Sequence, residues 1–354
     1  MTIRSMWCCF AAVALACGGG STEPDSNNNN PPGPTKTNVV GRTDRTIAVG
    51  GQQRSFVVYV GSTVGATTTA PVVIMFHGTS GDGPQFFDQS GWRQQADQEG
   101  LIAVFPTALV HCFHEDENDD GDFLDFDEHK VTTKWAHGAL GDPTIMPLCT
   151  AQQIAALSAQ NRALVDHPLA DDLAFMDAMI AFLKQNYLID EKAIYATGFS
   201  NGAQFANRLA VERNQVFAAT AAHAGGTGVT PIPGRAISVV ETVGTLDDRY
   251  TTRMGVTEIP MDSSALTQLP LLRGIFVTPM LQQLRLTIAY TFDEPIINGK
   301  KTARWTFRTS QVGGNNSLIF TLLDDNFHTY PNGSGYPIVM ANVLWNFFKT
   351  QRLP

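Results

Sequence analysis

Among the residues able to do chemistry, the most constrained stretch is Gly198-Phe199-Ser200-Asn201-Gly202. A serine hydroxyl is a poor nucleophile unless an imidazole takes its proton and a carboxylate fixes that imidazole's tautomer. Glycines on both sides of such a serine permit a sharp turn where side chains would collide with the strand and helix it joins. The flanking sequence fits this turn. Lys192 to Thr197 is an apolar, strand-forming run, and Phe205 and Leu209, with polar residues between, read as a helix. Such a turn lifts Ser200 above a sheet and aims the backbone N–H of Asn201 at the same spot.

The partners of a nucleophilic serine should stand at the ends of later strands. Ala236 to Val243 leads into Gly244-Thr245-Leu246-Asp247-Asp248, and Ser317 to Leu323 leads into Asp324-Asp325-Asn326-Phe327-His328-Thr329-Tyr330-Pro331. Serine, acid and histidine in that order make Ser200, Asp247 and His328 the expected triad. Asp248 is the rival acid. His223, the only other histidine after Ser200, lies in a run of small residues and is the weaker base. Upstream, the apolar run Ala70 to Phe76 breaks into His77-Gly78-Thr79-Ser80-Gly81-Asp82-Gly83. A glycine-dense loop after a buried strand brings backbone N–H groups close to a ligand. The N–H of Thr79 is therefore the expected second oxyanion donor beside that of Asn201. His77 is expected to prop this loop, not to transfer protons.

The elements that would hold these groups alternate along the chain. Residues 39–60 read as opening strands, 70–76 and 101–105 as buried strands, and Trp92 to Glu99 as a helix. Asp171 and Asp172 can cap a helix carrying Leu173, Met176, Ile180 and Leu183 on one face. Further strands are expected at 216–222, 236–243 and 317–323, with a closing helix from Met340 to Lys349. Repeated βα units predict an α/β protein of the α/β-hydrolase fold, a mostly parallel central sheet with helices on both faces.

At these motifs the chain resembles the secreted esterase family that contains polyhydroxybutyrate depolymerases, feruloyl esterases and acetylxylan esterases (carbohydrate esterase family 1-like). The resemblance rests on Phe76-His77-Gly78-Thr79, Trp92 through Pro106, Asp172-Leu173-Ala174-Phe175-Met176, Gly198 to Gly202, Gly244-Thr245-Leu246-Asp247 and His328-Thr329-Tyr330-Pro331. These motifs fall between about residue 54 and residue 350. The resemblance implies Ser200 as nucleophile, Asp247 as orienting acid, His328 as base, and Thr79 and Asn201 backbones as the oxyanion hole. It also implies carboxylic ester substrates, small or oligomeric, of the polyhydroxyalkanoate or feruloyl/acetyl ester type, and no cofactor for catalysis. The chain departs from the family at Val243, where histidine is usual, and at Tyr330, where tryptophan is usual. Asp324 to Phe327 stand where glycines are common. These departures bear on the acyl pocket and leave the triad positions intact.

The rest of the sequence sets the surroundings. Met1 to Cys17 carries one cation, Arg4, then an apolar run ending in Ala14-Leu15-Ala16-Cys17. It reads as a signal peptide of lipoprotein type, cleaved before Cys17, which would be lipidated and tether an exported protein to the cell envelope. Residues 18–37, rich in Gly, Asn and Pro, read as a disordered linker, and 38–354 as the catalytic domain. Of five cysteines, Cys8, Cys9 and Cys17 lie in the leader, leaving Cys112 and Cys149 for one disulfide in an oxidising compartment. Two insertions are expected, at about 112–149 and 251–309. The second carries the apolar segment Leu269 to Leu286, readable as lid helices or as core. Tyr250, Phe86, Phe87, Trp92, Trp135, Trp305 and Phe307 are the aromatic candidates for a pocket wall.

The first insertion holds nine carboxylates between Glu115 and Glu128, matching the whole net charge of -9 from 33 acidic and 24 basic residues. Asp116, Asn118, Asp120, Asp122 and Asp127 fall at calcium-loop spacing, with Gly121 at the turn, so a structural Ca²⁺ is expected there. An acidic chain with no basic patch excludes nucleic acid as a partner, and a monomer is expected. Two other classes compete with the esterase: a non-catalytic calcium-binding surface lipoprotein on a hydrolase scaffold, and a peptidase on the same scaffold.

Overall fold

The continuous apolar runs become the middle of one large sheet. The computed structural model describes residues 36–115, 129–165 and 168–354. Cys17 with the expected leader, most of the linker, and the expected calcium ligands Asp116, Asn118, Asp120, Asp122 and Asp127 lie outside the described residues. In chain order the strands are β1 (Gly41–Val49), β2 (Gln52–Val60), β3 (Ala70–Phe76), β4 (Ile102–Pro106), β5 (Val110–His114), β6 (His129–Thr133) and β7 (Ile189–Phe199). They continue with β8 (Ala219–His223), β9 (Ser238–Gly244), β10 (Tyr290–Asp293), β11 (Ile296–Ile297), β12 (Lys300–Phe307) and β13 (Leu318–Leu323). The main sheet runs β1-β2-β4-β3-β7-β8-β9-β13-β12-β10, with β11 paired to β12. From β4 through β13 every neighbouring pair is parallel. Antiparallel strands extend both flanks.

Both faces of the parallel region are covered, which is why its strands lack polar alternation. Helices Asp172–Asn186 and Asn201–Glu212 bury Phe175, Met176, Met179, Leu183, Phe205 and Leu209 against one face. Helices Gly83–Gln89, Trp92–Glu99 and Met340–Phe348 cover the other with Phe86, Trp92, Ala96, Leu344 and Phe348. The order places β4 on one side of β3 and β7 on the other. This is a topological switch, the place where open α/β sheets leave a crevice beyond their carboxyl ends. The expected oxyanion loop leaves β3 and the expected nucleophile leaves β7, with Phe76 paired to Gly198.

The second insertion is core and sheet, not a lid. Leu272, Phe276, Met280 and Leu284, on helices Pro270–Phe276 and Thr278–Leu284, are buried with Val239, Trp305, Phe307 and Phe320 of β9, β12 and β13. Pro270 and Pro279 stand in the first turns of those helices, where no N–H is needed, so they start helices and do not interrupt one. The first insertion holds the two-stranded sheet β5–β6. Cys112 on β5 is bonded to Cys149, with Cα atoms 5.2 Å apart. Closing that loop stabilises by about 3–4 kcal/mol on the chain-entropy account.

One helix start differs from expectation. Asp171 alone is the cap, accepting from the N–H of Ala174 at 2.9 Å. Asp172 turns inward instead. It pairs with Arg54 at 2.5 Å and accepts from the N–H of Ala136 at 2.7 Å, and both ion-pair partners are essentially unexposed.

Candidate active site

The strand–turn–helix at Ser200 has the strained geometry that its glycines allow. Ser200 sits at φ 52°, ψ -119°, between β7 and helix Asn201–Glu212. A Cβ on Gly198 would lie 2.2 Å from the carbonyl oxygen of Gly202, and one on Gly202 would lie 2.4 Å from that of His77. Neither neighbour can yield, because both are backbone. The two glycines thus permit the turn and its close seat against the loop after β3.

Ser200, Asp247 and His328 converge. The carboxylate of Asp247 accepts from Nδ1–H of His328 at 2.9 and 3.0 Å. That fixes the tautomer, since a carboxylate can only accept, and leaves the Nε2 lone pair facing the Ser200 hydroxyl at 2.9 Å. Asp247 is wholly buried, while His328 keeps 17% of its side chain exposed. Parallel pairing of Leu323 with Gly244 brings the two strand ends together. Asp248, the first residue of helix Asp248–Met254, is exposed and lines the cavity beside Ser200, while Nδ1 of the imidazole is taken by Asp247.

The two expected oxyanion donors line the same cavity as Ser200 and His328. Their neighbours' N–H groups are engaged elsewhere: Ser200 with the carbonyl of His223, Ser80 with that of Thr133, and Gly81 with that of Gly78. Asn201 is the first residue of its helix, where an N–H has no intrahelical acceptor.

Residues to which sequence reasoning gave no such role, Trp135 among them as a pocket-wall candidate only, hold these donors in place. The segment Lys134 to His137, following β6, docks across both. The Asn201 side chain accepts from the N–H of Trp135 at 2.6 Å and donates to its carbonyl at 3.2 Å. The indole N–H of Trp135 donates to the carbonyl of His77 at 3.0 Å. Lys134 donates to Thr79 Oγ1 and to Glu115, each at 3.3 Å. Nothing in the spacing of this segment marks it, because its partners are distant in sequence.

The other histidines near the site are props. His77 donates from Nδ1 to the carbonyl of Gly78 at 2.7 Å and accepts at Nε2 from the N–H of Ala108 at 3.0 Å. Burial pushes its pKa down to about 4. His223 donates from Nε2 to the carbonyl of Thr329, beside His328, and burial pushes it to about 3. Both rings are buried, and their nitrogens are engaged with groups other than the Ser200 hydroxyl.

Two cavities meet at Gly78, Thr79, Phe199 and His328. The larger, about 560 Å³, has charged walls that include Lys134, Glu115 and Arg249. The smaller, about 400 Å³, is lined by Phe86, Phe199 and Tyr330 with neutral polar groups. Of the aromatic candidates, Tyr250 lines the first cavity and Phe86 the second. Trp92, Trp135, Trp305, Phe307 and Phe87 are buried in the core.

A mostly parallel sheet with helices on both faces and a serine at the β7 turn defines the α/β-hydrolase fold, and the chain has it. No protein-family model and no curated protein sequence matches the chain. Among solved structures it is similar to the acetyl xylan esterase from Aspergillus awamori, at 14% identity over 87% of this chain and 99% of that one, with a TM-score of 0.51. Others are the S-formylglutathione hydrolase from Agrobacterium tumefaciens (12% identity, 90% of this chain and 99% of that one, TM-score 0.48) and a CE1 ferulic acid esterase from Anaeromyces mucronatus (12%, 93% and 95%, TM-score 0.44).

Proposed function

We propose that this protein is a serine hydrolase that cleaves carboxylic esters through an acyl-enzyme. The observation that carries the reading is the continuous chain from Asp247 through His328 to the Ser200 hydroxyl, with the imidazole in the tautomer that can accept the serine proton. His328 takes that proton as Ser200 Oγ bonds to the ester carbonyl carbon. Negative charge then builds on the carbonyl oxygen, where the N–H groups of Asn201 and Thr79 stabilise it. His328 returns the proton to the departing alcohol. A water molecule, activated by the same imidazole, then releases the acid and frees Ser200. None of these steps needs a cofactor.

Short acyl esters and soluble oligomers are the favoured substrates within this reading. Export with lipidation at Cys17, and Ca²⁺ held by Asp116, Asn118, Asp120, Asp122 and Asp127, belong to the same proposal and rest on the sequence patterns. The ion would be structural, pinning the excursion that the Cys112–Cys149 bond also closes. The test is a substrate panel, with and without calcium: short acyl esters, hydroxybutyrate oligomers, methyl ferulate and an acetylated xylan. Hydrolysis of one ester class is expected, with at least a ~10³-fold loss in folded Ser200→Ala protein. Equal turnover by the variant, or none by the folded wild type, would overturn the reading.

A further inference from the structure

Asn201 offers its backbone N–H to the site and commits its side chain to the segment after β6. Its Oδ1 accepts the N–H of Trp135 at 2.6 Å, and since an N–H can only donate, the amide can face one way only. The two hydrogens on Nδ2 therefore point at the carbonyl of Trp135, 3.2 Å away, and at Nδ1 of His137, 3.0 Å away. The His137 ring is buried, and its Nδ1 also stands 3.1 Å from the Trp135 carbonyl. That carbonyl already takes two donors, the N–H of His137 at 2.8 Å and the Asn201 amide, which fill its two lone pairs. A hydrogen on Nδ1 would have no lone pair left to meet, and it would stand against the Asn201 hydrogen in the same gap. The ring proton therefore belongs on Nε2, and the Nδ1 lone pair is left for Asn201. This is the opposite tautomer to that of His328, whose Nδ1 gives its hydrogen to Asp247.

We infer that His137 is a positioning residue for the oxyanion hole: the lone pair on its Nδ1 holds the Asn201 side chain, and through it the turn that aims the Asn201 backbone N–H at the ester carbonyl oxygen. This rests on the ester-hydrolase reading and adds a residue to its machinery. His137 acts through Asn201 and takes no proton from the reaction. A donor held off its line stabilises the developing oxyanion less, while binding of the uncharged ester changes little. Burial pushes the ring's pKa down to about 4, so the Nδ1 lone pair is free near neutral pH. Of the charged groups around it, Lys134 and Arg208 push the same way and Glu115 opposes them. Arg208, on helix Asn201–Glu212, also donates to the carbonyl of Ala136 and pairs with Glu212 at 2.7 Å, which fastens the segment to the helix that Asn201 begins.

Two variants separate an acceptor from a filler of space. His137→Asn puts a carbonyl oxygen where Nδ1 stands, and His137→Leu puts a methyl group there. With a 4-nitrophenyl short-acyl ester and folded protein, His137→Leu is expected to lower kcat about tenfold while KM stays within about twofold. His137→Asn should keep kcat within about threefold of wild type. Unchanged kcat in His137→Leu, or an equal loss in both variants, would overturn the inference. Proton–nitrogen NMR of the imidazole rings needs no turnover and decides the point even where His137→Leu does not fold. Near neutral pH, the ring signals that wild type has and His137→Asn lacks should be those of an imidazole protonated on Nε2 alone. A ring protonated on Nδ1 would overturn the inference whatever the kinetics. The expected tautomer in folded wild type that hydrolyses no ester would uphold the hydrogen bond to Asn201 but sink the ester-hydrolase reading, and the positioning role with it.

Discussion

Asp172 illustrates how much a single side chain can hold beneath this site. Its carboxylate is paired with Arg54, whose guanidinium also lies 4.0 Å from the centre of the Phe175 ring, and it accepts the N–H of Ala136 in the segment that anchors Asn201. Removing one partner of a buried pair strands the other charge without water. Asp172→Ala is therefore expected to lower unfolding free energy by about 3–5 kcal/mol, read from the midpoint of urea denaturation. A loss under about 1 kcal/mol would mean that Arg54 finds water or another partner. Ser200 stores energy differently. Its positive φ is strain held by packing around Gly198 and Gly202, and it sets the hydroxyl against His328.

At the scale of elements, the parts of the site legible in the sequence were those encoded locally. A glycine-flanked serine between an apolar run and a helical pattern marks its own turn, because the steric demand falls on adjacent residues. Asp247 and His328 follow strands whose buried character is written as unbroken apolar runs. The segment Lys134–His137 was not legible, since it is defined by contacts to Asn201, His77 and Thr79 that lie 55 to 66 residues away. The insertion 251–309 was ambiguous for a related reason. Its apolar helices have the same composition whether they cover a pocket or a sheet, and only the fold shows that β9, β13 and the added strand β12 are the surface they cover. Asp171 and Asp172 were indistinguishable as caps until Arg54 claimed one of them.

At the scale of the whole molecule, His77, His137 and His223 are buried and held below the usual imidazole range. His77 and His137 are pushed from 6.5 to about 4, and His223 to about 3, in each case mainly by burial. A lowered folded-state value means that between pH 6.5 and about 4 the unfolded chain binds protons the folded one refuses. These groups contribute full stability above pH 6.5 and lose it as pH falls toward 4. Glu241, buried with both oxygens unpartnered, is raised and acts in the opposite sense: its contribution is complete below 4.5 and fades as pH climbs. Three groups outweigh one. Thermal melting is expected to fall between pH 7.5 and pH 5 by several degrees, on the order of a few kcal/mol over a domain this size. A melting temperature that holds or rises over that interval would show the buried rings to be protonated at little cost.

The account as a whole depends on Ser200 being a nucleophile activated by His328. The most direct measurement is peptide mass spectrometry after treatment with a fluorophosphonate, followed in parallel with ester hydrolysis. The account predicts one covalent adduct, on Ser200, formed in step with the loss of hydrolysis and slowed at least ~100-fold by His328→Ala. An unlabelled Ser200 in folded protein, or full hydrolysis by protein labelled there, would contradict it.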